Sequence, residues 1–165
     1  MKKLASLCLI LLLGAGLCFA ADPVEGFWIS VDEKTSKVTA GWEIYQQGGK
    51  LYGKILSIAG FSQDEIASKC KESYRNFPVA GKVNQMKVIG PPWIYGLSPE
   101  KGGQWSGGTV IDPNDGNMYG CKITFHPADG GKYKTDTLEM RGTIGPFGRS
   151  QFWQKSAQQE ASGLR

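Results

Sequence analysis

Histidine is nearly absent: His126 is the only one in 165 residues. That excludes His-rich metal sites and paired-His zinc motifs, and it leaves one candidate for any His-dependent catalytic triad. No apolar run long enough for a membrane-spanning helix occurs after residue 20. No basic block occurs either, so the sequence carries no electrostatic footprint for nucleic acid. Gly-x-Gly-x-x-Gly, a phosphate-binding loop with its lysine and a Gly-x-Ser-x-Gly elbow are all missing. With no motif for a nucleotide or a metal, no cofactor and no metal site are expected.

What is present is glycine and aromatic side chains: 23 Gly, 5 Trp, 6 Tyr and 7 Phe. This favours strands and turns over helices. Residues 1–20 stand apart. Lys2 and Lys3 precede an apolar stretch from Leu4 to Leu17, and small residues follow at Ala20 and Ala21. The pattern is that of a cleavable secretory signal peptide. Leu17, bulky and directly before Cys18, weighs against lipidation. The remainder is close to neutral and large enough for a single domain with its own core, residues 21–155. It keeps two cysteines, Cys70 and Cys121, which could form one disulfide worth roughly 3–4 kcal/mol, or stay as buried thiols.

The chain then divides into short alternating runs. Ala40, Trp42 and Ile44 share one face of a strand, Gln47-Gly48-Gly49-Lys50 is a hairpin signal, and Leu51–Ile58 returns. Ser62 and Glu65 fit a capping box, and Ile66, Cys70 and Tyr74 recur at helical spacing, which predicts a short helix over 62–74. Further strands are predicted at 93–97, 104–112, 117–125, 137–144 and 149–155. Asp112-Pro113-Asn114-Asp115-Gly116 is the strongest turn, with Asp112 bonding ahead, Pro113 fixing φ and Gly116 supplying a positive φ. Residues 156–165 are polar and are expected to form a flexible tail. About eight hairpin-linked strands make an antiparallel meander, which removes its edges by closing into a barrel; an open or sandwiched sheet is the alternative.

Gly26-Phe27-Trp28 opens the first strand, and its Gly-x-Trp resembles that of the lipocalins. There the Trp closes one barrel end and a basic side chain of the last strand covers it. Arg149, or alternatively Arg141, is expected to cover Trp28. A wider resemblance runs through Gly49-Lys50-Leu51-Tyr52-Gly53-Lys54-Ile55, Trp105-Ser106-Gly107-Gly108-Thr109, Asp112 to Tyr119, Arg141-Gly142 and Gly148 to Trp153. From Gly26 to Trp153 the chain resembles the exported bacterial family of domain of unknown function 2147. That resemblance implies an all-β, eight-stranded, up-and-down lipocalin-like barrel with one short helix, and a periplasmic location. It implies no established activity. A Cys-x-x-Cys frequent in the family is absent, Ser73 standing where the second Cys would be, and the segment from Gly81 to Pro92 is longer than usual.

Trp42, Tyr95, Tyr119 and Trp153 are the candidate ligand-binding residues, offering apolar walls with polar tips; packed core is the competing role. The leading expectation is non-catalytic binding of a small hydrophobic or amphipathic molecule inside the barrel. The alternative is an envelope protein–protein or inhibitor module with a filled barrel, its contacts on loops 61–78 and 90–103. Enzymatic readings fare poorly, because Asp112 and Asp115 belong to a turn and Asp64 and Glu65 to a cap.

Overall fold

A computed structural model describes residues 22–32 and 34–164; the expected signal peptide lies outside the described residues. Eight strands follow in order: β1 Gly26–Val31, β2 Val38–Gln47, β3 Lys50–Ile58, β4 Pro92–Pro99, β5 Gln104–Ile111, β6 Met118–His126, β7 Thr137–Ile144 and β8 Phe147–Ser156. Each pairs antiparallel with the next, and β1 pairs with β8, so the sheet closes into an up-and-down barrel without free edges.

Local chemistry explains the corners. Gly48 and Gly49, at φ 57° and 71°, make the two-residue β2–β3 turn, which only glycine adopts freely at both positions. In the β5–β6 turn the Asn114 amide donates to the Asp112 carboxylate at 2.9 Å, and the Gly116 amide to the Asp112 carbonyl at 2.8 Å. Asp112, Pro113 and Gly116 therefore serve as the turn that their types imply.

The barrel end at the start of β1 is closed. Trp28 is fully buried, and its indole N–H donates to the Val24 carbonyl at 2.9 Å. The covering cation is neither Arg149 nor Arg141. It is Lys155, whose ammonium lies 4.4 Å from the Trp28 ring and donates to the Glu25 carbonyl at 2.7 Å. Register decides this: Trp28 pairs with Lys155, whereas Arg149 pairs with Gly142 near the opposite end. Burial over the ring pushes the Lys155 ammonium below its ordinary value. Gly26 holds φ 121°, and a Cβ there would come within 2.9 Å of the Lys155 ammonium.

The predicted helix at 62–74 does not form. The Ser62 hydroxyl accepts the Asp64 amide in a local turn, and the backbone then pairs with a returning segment through an Ile66–Lys87 bridge. The Ala67 amide donates to the Met86 carbonyl and the Val88 amide to the Glu65 carbonyl, so groups a helix needs are taken by partners across the loop. The segment between β3 and β4 is thus a long belt, with one 3₁₀ turn at Val83–Gln85. It buries Ala67, Cys70, Val83 and Val88 and covers the outer face of β4. Trp93 is sealed beneath it, its indole donating to the Val88 carbonyl at 2.6 Å.

The α-helix of the described residues lies instead in the expected flexible tail. Helix α1, Gln158–Ser162, packs across β1, β2 and β3. Ala161 is fully buried, and its carbonyl accepts the Ser57 hydroxyl at 2.6 Å. Gly41, lacking a Cβ, allows that close approach, which composition alone does not reveal.

Candidate functional site

Inward-facing side chains fill the closed half of the barrel. Trp28, Ile44, Leu51, Leu97, Trp105, Ile123 and Leu138 are all essentially inaccessible. Phe125 meets Trp28 edge to face at 6.3 Å. The other half is hollow: a cavity of about 350 Å³ opens beside the β5–β6 turn.

Its wall is apolar on one side and polar toward the mouth. Ala40, Trp42, Ile55, Ile58, Val110 and Met140 supply the apolar lining; Ser30, Thr39, Asp112, Asn114, Tyr119 and Gln151 supply the polar one. A bulge at the β2–β3 pairing near Trp42 makes this possible. Trp42 pairs with Ile55 and Ala40 with Ile58, so one extra β3 residue returns Ile58 to the cavity while Ser57 turns out to α1.

Trp42 is held on two sides. Its indole N–H donates to the Ser30 hydroxyl at 3.3 Å, and that hydroxyl also meets the Thr39 hydroxyl at 2.8 Å. Its ring stacks on Trp153 at 4.7 Å and 22°. Trp153 is fully buried, so it supports the cavity wall from behind rather than lining it. Its indole donates to the Gln151 side-chain oxygen at 3.1 Å. With its oxygen so engaged, Gln151 still carries two amide N–H donors at the cavity wall.

Of the four aromatic candidates, Trp42 and Tyr119 line the cavity, and Trp153 backs it. Tyr95 does not belong there. It lies on the outer face of β4 under the belt, its hydroxyl donating to the Arg75 carbonyl at 3.1 Å and its ring 5.6 Å from Phe77. Burial pushes its phenol above the ordinary range. Ile94, its neighbour, takes the inward position opposite Val110. Sequence reasoning passed over Ser30, Thr39, Met140 and Gln151. The last two were within reach of the period-two rule, since Met140 alternates with Leu138 and Gln151 with Trp153.

Cys70 and Cys121 are free and buried, so the disulfide alternative is corrected. Cys70 sits in the belt, where the loop packs on the β5–β6 turn; Cys121 faces the barrel interior on β6. Burial pushes the Cys121 thiol up to about 12 and raises Cys70 as well. Two inert thiols are the consequence. Alkylation of the native protein at neutral pH is expected to leave both unmodified, and alkylation in urea without reductant to modify both, as counted by intact mass. An unfolded chain that takes up no label would show the two sulfurs joined.

His126 lies on the outside of the barrel. It meets Glu139 at 2.9 Å and stacks on Tyr133 at 4.4 Å. The Ser150 hydroxyl donates to the other Glu139 oxygen at 2.6 Å. The carboxylate separates hydroxyl from imidazole, so this is no nucleophile–base pair. Partial burial raises the Glu139 carboxyl, but its Ser150 and His126 partners outweigh that and hold it below the usual range.

Comparison with known proteins agrees with this architecture. Residues 26–155 match the model of a family described as "uncharacterized protein conserved in bacteria (DUF2147)". Among solved structures, protein HP1028 of the human pathogen Helicobacter pylori, described as belonging to the lipocalin family, superposes with a TM-score of 0.61 at 17% identity. The match covers 82% of this chain and 84% of that one, and at this identity it speaks for the fold. A mouse protein, FXYD domain-containing ion transport regulator 4, is 29% identical over 91 residues, which are 54% of this chain and 94% of its own. A stretch of that length cannot contain all eight strands, which span residues 26–156, and it carries no argument about function.

Proposed function

The chain belongs to that bacterial DUF2147 family, with a lipocalin-like barrel, and from this premise we propose that it binds a small hydrophobic or amphipathic ligand in the open half of the barrel. The observation that carries the reading is the contrast between the two halves. One is packed solid, and the other keeps a cavity of about 350 Å³ with an apolar wall and a polar mouth. That volume is in the range of small-molecule sites, roughly 300–1,000 Å³. The division of the lining orients the guest. Its apolar part lies against Trp42, Ile55 and Val110, and its polar end reaches Ser30, Gln151 and Asn114. No covalent step is part of this reading. The signal-like segment at residues 1–20 supports a periplasmic site of action. A filled barrel, which the protein–protein alternative requires, is at odds with the cavity.

Native mass spectrometry of the protein taken from its own envelope fraction without detergent is expected to show an added mass that leaves on denaturation. A fluorescent reporter, anilinonaphthalene sulfonate, tests the location. Val110→Trp fills the cavity, and binding is expected to fall by about tenfold or more if this wall forms the site. Ala40→Leu is the milder variant, should the larger ring cost too much stability, typically about 1–3 kcal/mol for overpacking. Undiminished reporter binding by both folded variants would place the ligand elsewhere.

A further inference from the structure

The β7–β8 hairpin ends in Ile144-Gly145-Pro146-Phe147. Phe147 is 75% exposed and Ile144 63% exposed, more than the other large apolar side chains noted at the surface. Met118, itself exposed, stands next to this tip, because the Gly120–Thr143 pairing of β6 and β7 brings residue 118 alongside residue 145. These three side chains crown the end of the barrel at which the cavity opens. Met140 and Gln151, two rungs down the same hairpin from the Gly142–Arg149 pair, line that cavity.

From this tip we infer that the open end of the barrel docks on an anionic lipid surface, with Phe147 and Ile144 inserted at the headgroup boundary. The shape argues for a bilayer. A two-residue turn is convex and presents few side chains, far less than the roughly 800 Å² per partner of a stable protein interface. A bilayer accepts a convex apolar point without a matching pocket. The backbone is suited to it as well. Pro146 has no N–H to desolvate, and Ile144 and Phe147 pair with each other across the turn.

Charge selects the kind of lipid. No carboxylate occurs in the sequence between Glu139 and Glu160, while Arg141 and Arg149 lie on this hairpin and are exposed. Lys122, beside Arg141 across β6 and β7, is already paired with Glu100 at 3.5 Å, so the two arginines of the hairpin carry the charge argument. On the neighbouring turn, Asp112 and Asp115 keep their negative charges while accepting the Asn114 and Asn117 amides, so the cations that meet the lipid are those of the β7–β8 hairpin itself. Apolar insertion and juxtaposed cations are the two signals that together hold a peripheral protein on a membrane. Docking in this orientation turns the cavity mouth toward the lipid. The inference stands on the tip alone and does not require the cavity to be the ligand site.

Co-sedimentation tests it, using the protein as recovered from cells with its N-terminus read by mass spectrometry. The probes are vesicles of phosphatidylglycerol with phosphatidylethanolamine, and vesicles of phosphatidylcholine alone. Binding is expected to the anionic vesicles, to weaken with salt, and to drop about tenfold or more in the Ile144→Ser, Phe147→Ser double variant. Arg149→Gln is expected to weaken binding with a shallower salt dependence. The melting temperature of the double variant is expected to match the parent, since neither side chain is packed. Val79→Ser, on an exposed belt residue that lies beside Gln47 and Gly48 at the opposite end of the barrel, is the control and leaves binding unchanged. Vesicle binding that survives the double variant overturns the inference. So does a tip-dependent self-association in sedimentation velocity without vesicle binding. Val110→Trp separates the two readings: docking persists in it, whereas vesicle binding lost there and kept in the tip variant would be lipid uptake and not docking.

Discussion

Truncating Trp153 to alanine is expected to cost the barrel about 3–5 kcal/mol, the range for removing a large aromatic from a core. Trp153 is fully buried, stacks on Trp42 at 4.7 Å, and satisfies the Gln151 side-chain oxygen. The loss therefore combines burial, the stacked pair and an abandoned acceptor. Trp153→Phe keeps an aromatic ring and most of the volume and is expected to cost less than half as much. Urea unfolding checks this: the midpoint shifts while the slope stays constant, as for a change in stability rather than in exposed surface. The two substitutions also bear on the cavity. Trp42 loses its backing in Trp153→Ala, so the wall of the site is undercut and reporter binding changes. In Trp153→Phe, binding is retained. A Trp153→Ala barrel as stable as the parent would mean that the two indoles are not packed as described.

Gly41→Ala is expected to detach the C-terminal helix. A Cβ at residue 41 would lie 1.7 Å from the Ala161 carbonyl oxygen and 2.5 Å from its carbon, both backbone atoms that no side-chain rotation can move away. Releasing the helix exposes Ala161 and Ile29, both buried, and frees the Ser57 hydroxyl. Together these losses amount to about 1–3 kcal/mol. A double-mutant cycle isolates the cause. Ending the chain after Ser156 removes the clash, so in that background Gly41→Ala is expected to cost only a few tenths of a kcal/mol or to stabilise, since Gly weakens a strand. An equal cost in both backgrounds would trace the effect to β2 itself rather than to the docked helix.

Much of the barrel was legible because its signals are local. Gly48-Gly49, Asp112-Pro113 with Gly116, and Gly145-Pro146 each mark a turn by their own backbone preferences. The strands between them alternate with period two, and the observed boundaries differ by only a few residues. Closure followed from eight strands in an antiparallel meander, which would otherwise leave two bare edges. Trp42 and Tyr119 line the cavity from strands that alternate simply, although alternation by itself does not say which face points inward. Tyr95 was misplaced because β4 does not alternate simply. The β3–β4 pairing shifts register twice, and Gly96 takes φ 76°, so inward positions at Ile94 and Leu97 are separated by three residues.

The remaining errors have one physical origin. Ser62 to Tyr74 carries a helical pattern, yet its Ala67 amide donates to Met86, and its Glu65 and Glu72 carbonyls accept from Val88 and Val83 of the returning belt. The tail reads as polar, yet one small residue, Ala161, fits the space left by one glycine 120 positions earlier. The cation over Trp28 could be any base of the last strand until the β1–β8 register selects Lys155. The amino-acid sequence by itself thus determined the turns, the alternation, the number of strands and, through its resemblance, the family. Only the tertiary structure decided the register, and register decides which side chains face the cavity, which lie under the belt, and where the apolar tip stands relative to the mouth. Turn preference and alternation reside in a few adjacent residues, whereas register is a property of two strands and of the bulges between them.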